Sequence, residues 1–223
     1  MIKAAVFDMD GLMFDTERVG REAWNQVGEN LGFGNLDAVN ERCLGCNKDY
    51  CRGIFMEVFG DALTLDQVLE LSAPIQQAWY REHGMPCKKG LVELLDYLRD
   101  TGRKIAMATS SDRSIAERNL EMAGLRSYFD VLVCGDMVKR SKPDPDIYLT
   151  AARLLEVLPE ECIGLEDSRN GILSVHAAGM TGLLIPDLIQ PDEEMKQAAD
   201  QVLSDLGEVV VWLKAYDDRY SAD

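Results

Sequence analysis

From residue 88 onward, short apolar runs with the composition of buried strands alternate with longer segments that have helical periodicity. With one further run at the start of the chain, the strand-like runs are 3–7, 104–108, 130–134, 162–165 and 181–185. Strands that alternate with helices predict an α/β fold, in which a parallel, Rossmann-like sheet is flanked by helices on both faces. A last apolar run, 209–213, has no clear strand or helix period.

The segment between the first predicted strand and residue 88 has a different pattern. Apolar residues recur there at a spacing of four from about Thr16, which predicts an amphipathic helix. Thr64 begins a sequence typical of a capping box, which predicts the start of another helix. We therefore predict a helical cap domain, 16–87, inserted into an α/β core domain made of 1–15 and 88–223.

The charge of the chain excludes some classes of partner. The 223 residues include 23 Lys and Arg and 39 Asp and Glu, a formal net charge of −16. Nucleic acids and anionic membranes attract proteins with a positive face, so we expect neither as a partner. No apolar run approaches the roughly 18 residues of a membrane-spanning helix, and the early acidic residues do not suit a signal peptide. We expect a cytoplasmic, monomeric protein with reduced thiols.

Polar residues of related chemistry follow four of the predicted strands. They are Asp8, Asp10, Thr109, Ser110, Lys142, Glu166 and Asp167. Because the carboxyl ends of parallel strands meet at one edge of a sheet, we expect these side chains to line one rim. Loops are generally polar and acids often cap helices, so a single segment of this kind would carry little weight. Four such segments in order predict a functional site.

This set of residue types suits phosphoryl transfer through an aspartate. A carboxylate can act as a nucleophile and form an aspartyl-phosphate. Its attack on a phosphate dianion needs a divalent cation between the two charges, and acids from two strand ends offer the oxygen ligands that Mg²⁺ prefers. A lysine and hydroxyl groups can hold phosphoryl oxygens in the transition state. A second acid can protonate the leaving oxygen and later activate water.

Four segments also resemble, in order and spacing, the motifs of the haloacid dehalogenase (HAD) superfamily in its phosphatase branch. They are Asp8–Thr16, Thr109-Ser110, Lys142 within 141–145, and Gly164–Ser168 followed by Asn170-Gly171. The resemblance runs from residue 1 to about residue 185. It is strongest to the β-phosphoglucomutase-like branch, whose helical cap is inserted just after the first motif.

The resemblance implies roles for the catalytic residues. Asp8 is implied as the nucleophile and a Mg²⁺ ligand, and Asp10 as the general acid and base. Asp10 is also implied to bind Mg²⁺ through its backbone carbonyl. Lys142 is implied to offset the charge on Asp8 and on the phosphoryl group. The haloacid dehalogenases themselves lack the second aspartate, so Asp10 points to phosphate chemistry rather than carbon–halogen chemistry.

Phosphate and metal ligands are implied in the same way. Thr109 and Ser110 are implied to donate hydrogen bonds to the phosphate, together with Lys142. Asp167 is implied as a Mg²⁺ ligand, and Glu166 lies beside it as a further ligand or as its support. Mg²⁺ is therefore the expected cofactor.

The cap is expected to select the substrate. Lys48 resembles the cationic residue of the family's cap substrate loop, and Asn47 precedes it. A solvated surface lysine is the alternative interpretation of Lys48. Trp24 and Tyr80 are predicted to lie behind this loop, although the helical spacing of Trp24 favours a place in the core of the cap.

Three cysteines in the cap permit a second metal hypothesis. Cys43, Cys46 and Cys51 lie close together in the sequence. Zinc sites usually combine two ligand pairs or add histidines, and His83 and His176 are not at ligand spacing. We therefore expect ordinary thiols rather than a metal site.

The sequence thus predicts a Mg²⁺-dependent phosphatase that hydrolyses small phosphorylated metabolites, sugar phosphates above all. The alternative is a phosphosugar mutase. β-Phosphoglucomutases carry a histidine four residues after the threonine of the first motif, and here that position is Gly20. A mutase must return its phosphoryl group to a sugar rather than to water, so the loss of this side chain favours hydrolysis.

Two further alternatives belong to other classes of protein. A receiver-type signalling module uses a similar acidic pocket, but it would be shorter and would lack the insert. A non-catalytic interaction protein with this fold would not need to keep the acids and the lysine of the four motifs.

Overall fold

The structure is a computed structural model that describes residues 1–44, 46 and 48–220, with the side chain of Tyr220 left out. The chain divides into two compact units. One consists of Met1–Phe14 and the chain from Cys87 onward and contains the sheet, whereas the other, Asp15–Pro86, is helical. That the helical unit acts as a cap stays a prediction.

The first unit is built on a six-stranded sheet in which all strand pairs are parallel. The strands are β1 (Ala4–Phe7), β2 (Lys104–Ala108), β3 (Val131–Val133), β4 (Cys162–Glu166), β5 (Thr181–Leu184) and β6 (Gln201–Val202). Their order in the sheet is β3-β2-β1-β4-β5-β6. Helices surround this sheet, so the predicted Rossmann-like α/β fold is confirmed.

The helices of the two units follow the chain in order. In the helical unit they are α1 (Thr16–Asn30), α2 (Asp37–Cys43), α3 (Lys48–Phe59) and α4 (Leu65–His83). In the α/β unit they are α5 (Leu91–Asp100), α6 (Arg113–Met122), α7 (Asp146–Leu155), α8 (Arg169–Ala177), α9 (Glu193–Ala198) and α10 (Leu206–Tyr220). Short 3₁₀ turns lie at Arg126–Tyr128, Gly135–Met137 and Pro159–Glu161.

The strand order reverses between β1 and β4. The chain builds β1, β2 and β3 outward in one direction, then returns to pair β4 with the other edge of β1 and continues to β5 and β6. In open parallel sheets, ligands bind beyond the carboxyl ends of the strands at such a reversal. Here those ends are Phe7 of β1 and Glu166 of β4.

The two central strands are rigidly held. Every residue of β1 and β4 is buried, as expected for parallel strands that are covered on both faces. On one face, α7 and α8 supply the covering side chains, among them Ile147 and Val175. The loops that leave these strands therefore start from fixed positions.

The connections to the helical unit leave the α/β unit side by side. Phe14 forms an antiparallel bridge with Cys87. Next to it, the amide N–H of Lys88 donates to the carbonyl of Met13 at 2.9 Å. These backbone contacts close the α/β unit at the point where the insert begins and ends.

The structure adds two features of the sheet unit that the sequence analysis did not predict. The ambiguous run 209–213 lies inside α10, where Leu206, Val209, Val210 and Leu213 are buried at helical spacing while Val211 is exposed. The short strand β6 was not predicted, because both of its residues are exposed and carry no apolar pattern.

The helical unit has its own apolar core. In α1 the residues Val19, Ala23, Trp24 and Val27 are buried on one face. The predicted capping box is present at the start of α4: the Thr64 hydroxyl accepts from the Gln67 amide, and the Gln67 side chain accepts from the Thr64 amide. No helix in the described ranges has the length and apolar character needed to span a membrane.

Candidate active site

Asp8 lies directly beyond the carboxyl end of β1. Its backbone N–H donates to the carbonyl of Leu165 at 3.0 Å, which continues the β1–β4 pairing by one residue. The residue is only 8% exposed, and its Oδ1 accepts from Nζ of Lys142 at 2.5 Å. Burial raises the pKa of Asp8 to about 8, although the Lys142 ammonium acts in the opposite direction.

Lys142 joins three parts of the site. Its Nζ lies 2.5 Å from Asp8 Oδ1, 2.6 Å from Glu166 Oε1 and 2.9 Å from the carbonyl oxygen of Ala108. A lysine ammonium has three N–H donors, so these acceptors engage all of them. Burial alone would lower the pKa of Lys142, but the carboxylates of Asp8 and Glu166 outweigh it and hold the pKa above its ordinary value.

Glu166, the last residue of β4, is completely buried. Its Oε1 accepts from Lys142 Nζ and from the hydroxyl of Tyr148, both at 2.6 Å. Its Oε2 accepts from the backbone N–H of Asp167 at 3.2 Å and from the hydroxyl of Ser168 at 3.1 Å. A buried carboxylate is tolerated when donors surround it in this way, and the bonds also tie the Asp167 loop to the strand end.

Two glycines lie against the acidic residues. A Cβ atom at Gly171, in the first turn of α8, would overlap the carboxylate of Glu166. A Cβ atom at Gly11 would overlap the carboxylate of Asp167, and the φ of Gly11 is +85°, a conformation that favours glycine. Both glycines therefore leave space that the carboxylates occupy.

Three carboxylates could hold a metal ion. One oxygen each from Asp8, Glu166 and Asp167 lies within 4.8 Å of the others. Within 1–44, 46 and 48–220, no other group of three His, Cys, Asp or Glu side chains is found at such spacing. Oxygen donors at the ends of two adjacent strands suit a hard divalent cation such as Mg²⁺, so the residues present fit the implied metal. Asp10 is implied to bind the metal through its backbone carbonyl, so it is not one of these three side-chain ligands.

Asp10 and the predicted phosphate ligands are linked by a residue that the sequence reasoning missed. Asp10 Oδ2 accepts from the hydroxyl of Ser111 at 2.8 Å. The Ser111 amide in turn donates to Thr109 Oγ1 at 3.0 Å. Thr109 is buried and Ser110 is exposed. The available signal for Ser111 was its place as the third hydroxyl in a row after β2.

Tyr148 is the second residue that sequence reasoning missed. It lies in α7 and is completely buried, with its hydroxyl on Glu166. Burial, followed by the charge of Glu166, holds the pKa of Tyr148 well above its ordinary value, so the hydroxyl is a neutral donor. In the sequence it has the helical spacing of a core aromatic residue.

The predicted substrate residues of the helical unit differ in their exposure. Lys48 is the first residue of α3 and is exposed. Asn47 lies outside the described residues. Trp24 is buried and packs edge-on against Phe55 with ring centroids 5.6 Å apart, and Tyr80 is also buried. A substrate role for Lys48 and Asn47 stays a prediction.

The three cap cysteines are free thiols. Cys43 and Cys51 are buried and Cys46 is exposed. The thiol of Cys51 lies 3.6 Å from the carbonyl oxygen of Cys43. Cys43 ends α2 and Cys51 lies in α3. That they are ordinary thiols stays a prediction.

Comparisons with known proteins agree with this geometry. A sequence model described as haloacid dehalogenase-like hydrolase matches residues 2–179. A Thermotoga maritima protein named phosphorylated carbohydrates phosphatase is 34% identical over 182 residues, which are 80% of this chain and 82% of that protein. A Bacillus subtilis β-phosphoglucomutase is 29% identical over 218 residues, covering 93% of this chain and 95% of the other.

Solved structures lead to the same family. The crystal structure of CbbY from Rhodobacter sphaeroides in complex with phosphate matches with a TM-score of 0.77 and 28% identity, covering 94% of this chain and 96% of the other. The family match includes Asp8 and Glu166, at the ends of β1 and β4, and Lys142 in the loop between β3 and α7. The chain therefore belongs to the haloacid dehalogenase-like hydrolase family, in its β-phosphoglucomutase-like branch.

Proposed function

We propose that the chain is a Mg²⁺-dependent phosphatase that hydrolyses small phosphorylated metabolites, sugar phosphates in particular, through an aspartyl-phosphate on Asp8. The observation that carries the proposal is the buried Asp8 carboxylate, held at 2.5 Å by Lys142 beside two further acids. The Thermotoga maritima relative, named for phosphorylated carbohydrates, supports the substrate class.

The reaction would proceed in two transfers. In the first, the Asp8 carboxylate attacks phosphorus, the bond from phosphorus to the sugar oxygen breaks, and Asp10 donates a proton to that oxygen. In the second, water attacks the phosphorus of the aspartyl-phosphate and gives a proton to Asp10, the bond from phosphorus to the Asp8 oxygen breaks, and inorganic phosphate leaves. Ser111 donates to Asp10 Oδ2 at 2.8 Å and so orients the carboxyl group that carries this proton.

The metal would be held by the Asp8 and Asp167 carboxylates and the Asp10 carbonyl, with Glu166 as a further ligand or as their support. When bound, Mg²⁺ supplies positive charge that lessens the repulsion between the nucleophile and the phosphate. Gly11 leaves the space in which the Asp167 carboxylate lies. The Glu166 carboxylate fixes the backbone of Asp167, so the chain itself prepares this ligand.

Lys142 would act first on Asp8 and only then on phosphate. All three of its N–H groups are engaged by protein acceptors, so contact with a phosphoryl oxygen requires the exchange of one of them. Thr109 and Ser110 would supply the remaining hydrogen bonds to the phosphate. The Lys142 ammonium then remains close to the negative charge while that charge moves from the Asp8 carboxylate to the phosphoryl group.

A panel of phosphorylated metabolites tests the proposed function. Purified protein with Mg²⁺ should release inorganic phosphate from sugar phosphates, and removal of the metal with a chelator should stop the release. Activity that is unaffected by the chelator would contradict the metal-dependent reaction. A panel in which no phosphate ester is hydrolysed would contradict the proposal as a whole.

The mutase is the second candidate, because a Bacillus subtilis relative is a β-phosphoglucomutase. Gly20 in α1 stands at the position of the mutase histidine, and a glycine has no side chain that could act as an acid or base. We therefore expect β-glucose 1-phosphate, if it is accepted, to give glucose and phosphate. Formation of glucose 6-phosphate, measured with a coupled dehydrogenase, would favour the mutase.

Metal binding is expected to stabilise the protein even without substrate. Asp8, Glu166 and Asp167 crowd three carboxylates into one site, and a bound cation offsets their repulsion. Saturating Mg²⁺ should raise Tm in a thermal melt, by about 2–4 °C for each kcal/mol that bound metal adds to the free energy of unfolding. Asp167→Asn should lose most of this shift. Asp130→Asn should keep it, because Asp130 lies at the amino ends of β2 and β3 rather than at the carboxyl ends that carry the three acids. Equal shifts in both variants would place the cation elsewhere.

A further inference from the structure

One hydrogen bond of the site has no part in the reaction as described above. The hydroxyl of Tyr148 donates to Glu166 Oε1 at 2.6 Å, the same oxygen that accepts from Lys142 Nζ at 2.6 Å. Tyr148 and Lys142 lie on the same segment, which passes from the loop after β3 into α7. The segment thus places two donors on one buried carboxylate oxygen.

The ring of Tyr148 has little freedom to move. Its helix is anchored in the core of the sheet by Ile147, Ala151 and Leu155, all at most 2% exposed. The start of the helix is tied to α8, because the Ser174 hydroxyl donates to the carbonyl of Asp144 at 2.7 Å. The hydroxyl therefore reaches Glu166 from a fixed position.

Lys142 lies between two carboxylates, each of which accepts one of its N–H groups. Its Nζ is 2.5 Å from Asp8 Oδ1 and 2.6 Å from Glu166 Oε1. A second donor on Glu166 Oε1 takes up part of the negative charge of that oxygen and weakens its attraction for the ammonium. Loss of that donor would leave more negative charge on Glu166 Oε1, facing Lys142.

We propose that Tyr148 is a positioning residue: its hydroxyl satisfies Glu166 and thereby keeps Lys142 on the Asp8 nucleophile. Only the expected effect on kcat rests on the proposed function. The position of Lys142 itself can be measured without turnover. Tyr148 does not face the substrate in this role, so its removal should affect the chemical step rather than substrate binding.

Tyr148→Phe keeps the ring and removes only the hydroxyl. It is expected to lower kcat about tenfold, the effect of losing one charge-assisted hydrogen bond, while KM changes less than about twofold. The matched control is Tyr128→Phe. The Tyr128 hydroxyl also donates to a carboxylate, Asp96 Oδ1 at 2.7 Å, but Tyr128 lies near the amino end of β3, away from the site. It should leave both constants unchanged.

A double-mutant cycle separates action through Glu166 from a loss of packing. If Tyr148 acts through this carboxylate, Tyr148→Phe should have little further effect on kcat in a Glu166→Gln background. Effects on kcat that multiply fully in the double variant would overturn the proposal. So would a rise in KM with kcat intact, or a kcat in Tyr148→Phe equal to that of the wild type.

The ammonium group of Lys142 gives a readout that needs no activity. Its side-chain ¹⁵N–¹H NMR signal, assigned by its loss in Lys142→Arg, should shift in Tyr148→Phe and stay in place in Tyr128→Phe. An unchanged signal in Tyr148→Phe would overturn the inference. If the wild type hydrolyses no phosphate ester, the proposed function fails, and the NMR comparison still tests whether the Tyr148 hydroxyl affects Lys142.

Discussion

Asp8→Asn is expected to lower kcat by at least roughly a thousandfold. The amide has nearly the same shape as the carboxylate and can still accept a hydrogen bond from Lys142. It cannot attack phosphorus, and therefore no aspartyl-phosphate can form. The fold should survive, because the amide places a neutral group where burial already disfavours the charge. Phosphate release under saturating substrate, together with acid-quenched detection of the phosphorylated protein, measures both effects.

Asp130→Asn is the matched control for this change. Asp130 is exposed and accepts from the Ile105 amide at 2.8 Å, an interaction that an asparagine can keep. Its activity should equal that of the wild type. Substantial hydrolysis by folded Asp8→Asn, with a normal thermal melt, would show that another residue is the nucleophile.

Gly171→Ala is expected to damage the site through a single methyl group. Within a helix, alanine usually stabilises relative to glycine by up to about 1 kcal/mol, and Gly171 lies in the first turn of α8. Here the methyl group would overlap the Glu166 carboxylate. The carboxylate would have to leave Lys142 and Tyr148. We expect an unfolding free energy lower by about 1–3 kcal/mol and a kcat lower by roughly ten- to a hundredfold.

Gly53→Ala is the control for this change, because the added methyl group meets no other atom there. Gly53 lies in α3 and is exposed, and nothing lies within 4 Å of a Cβ placed there. This variant should be as stable as the wild type or slightly more stable, with full activity. Denaturant unfolding and steady-state kinetics on both variants make the comparison. Equal behaviour of the two would mean that Glu166 can move without cost.

Much of the fold could be predicted because its strands are buried on both faces. Apart from the exposed Lys104, the runs 104–108 and 162–165 are continuously apolar and easy to recognise. Strand β6 could not be predicted, because Gln201 and Val202 are exposed and are strand only through their pairing with β5. The run 209–213 was ambiguous because five apolar residues in succession mask the helical period of α10.

The candidate site was predictable where its chemistry depends on residue types that are unusual after a strand. Acids and a lysine in those places led to Asp8, Lys142, Glu166 and Asp167, which the structure brings together. Tyr148 escaped because nothing in a sequence separates a tyrosine with a bonded hydroxyl from one that only packs. That distinction depends on which side chain faces the hydroxyl across the fold.

The backbone pairing of Phe14 with Cys87 affects which changes of sequence length the chain can tolerate. The two segments that lead into and out of the helical unit are paired with each other at Phe14 and Cys87. The helical unit is therefore a long insertion whose two ends are held together by the α/β unit. The entropy of closing a loop grows only slowly with its length. Insertions, deletions or new sequence within Asp15–Pro86 can therefore accumulate without a change in the register of β1 and without moving Asp8.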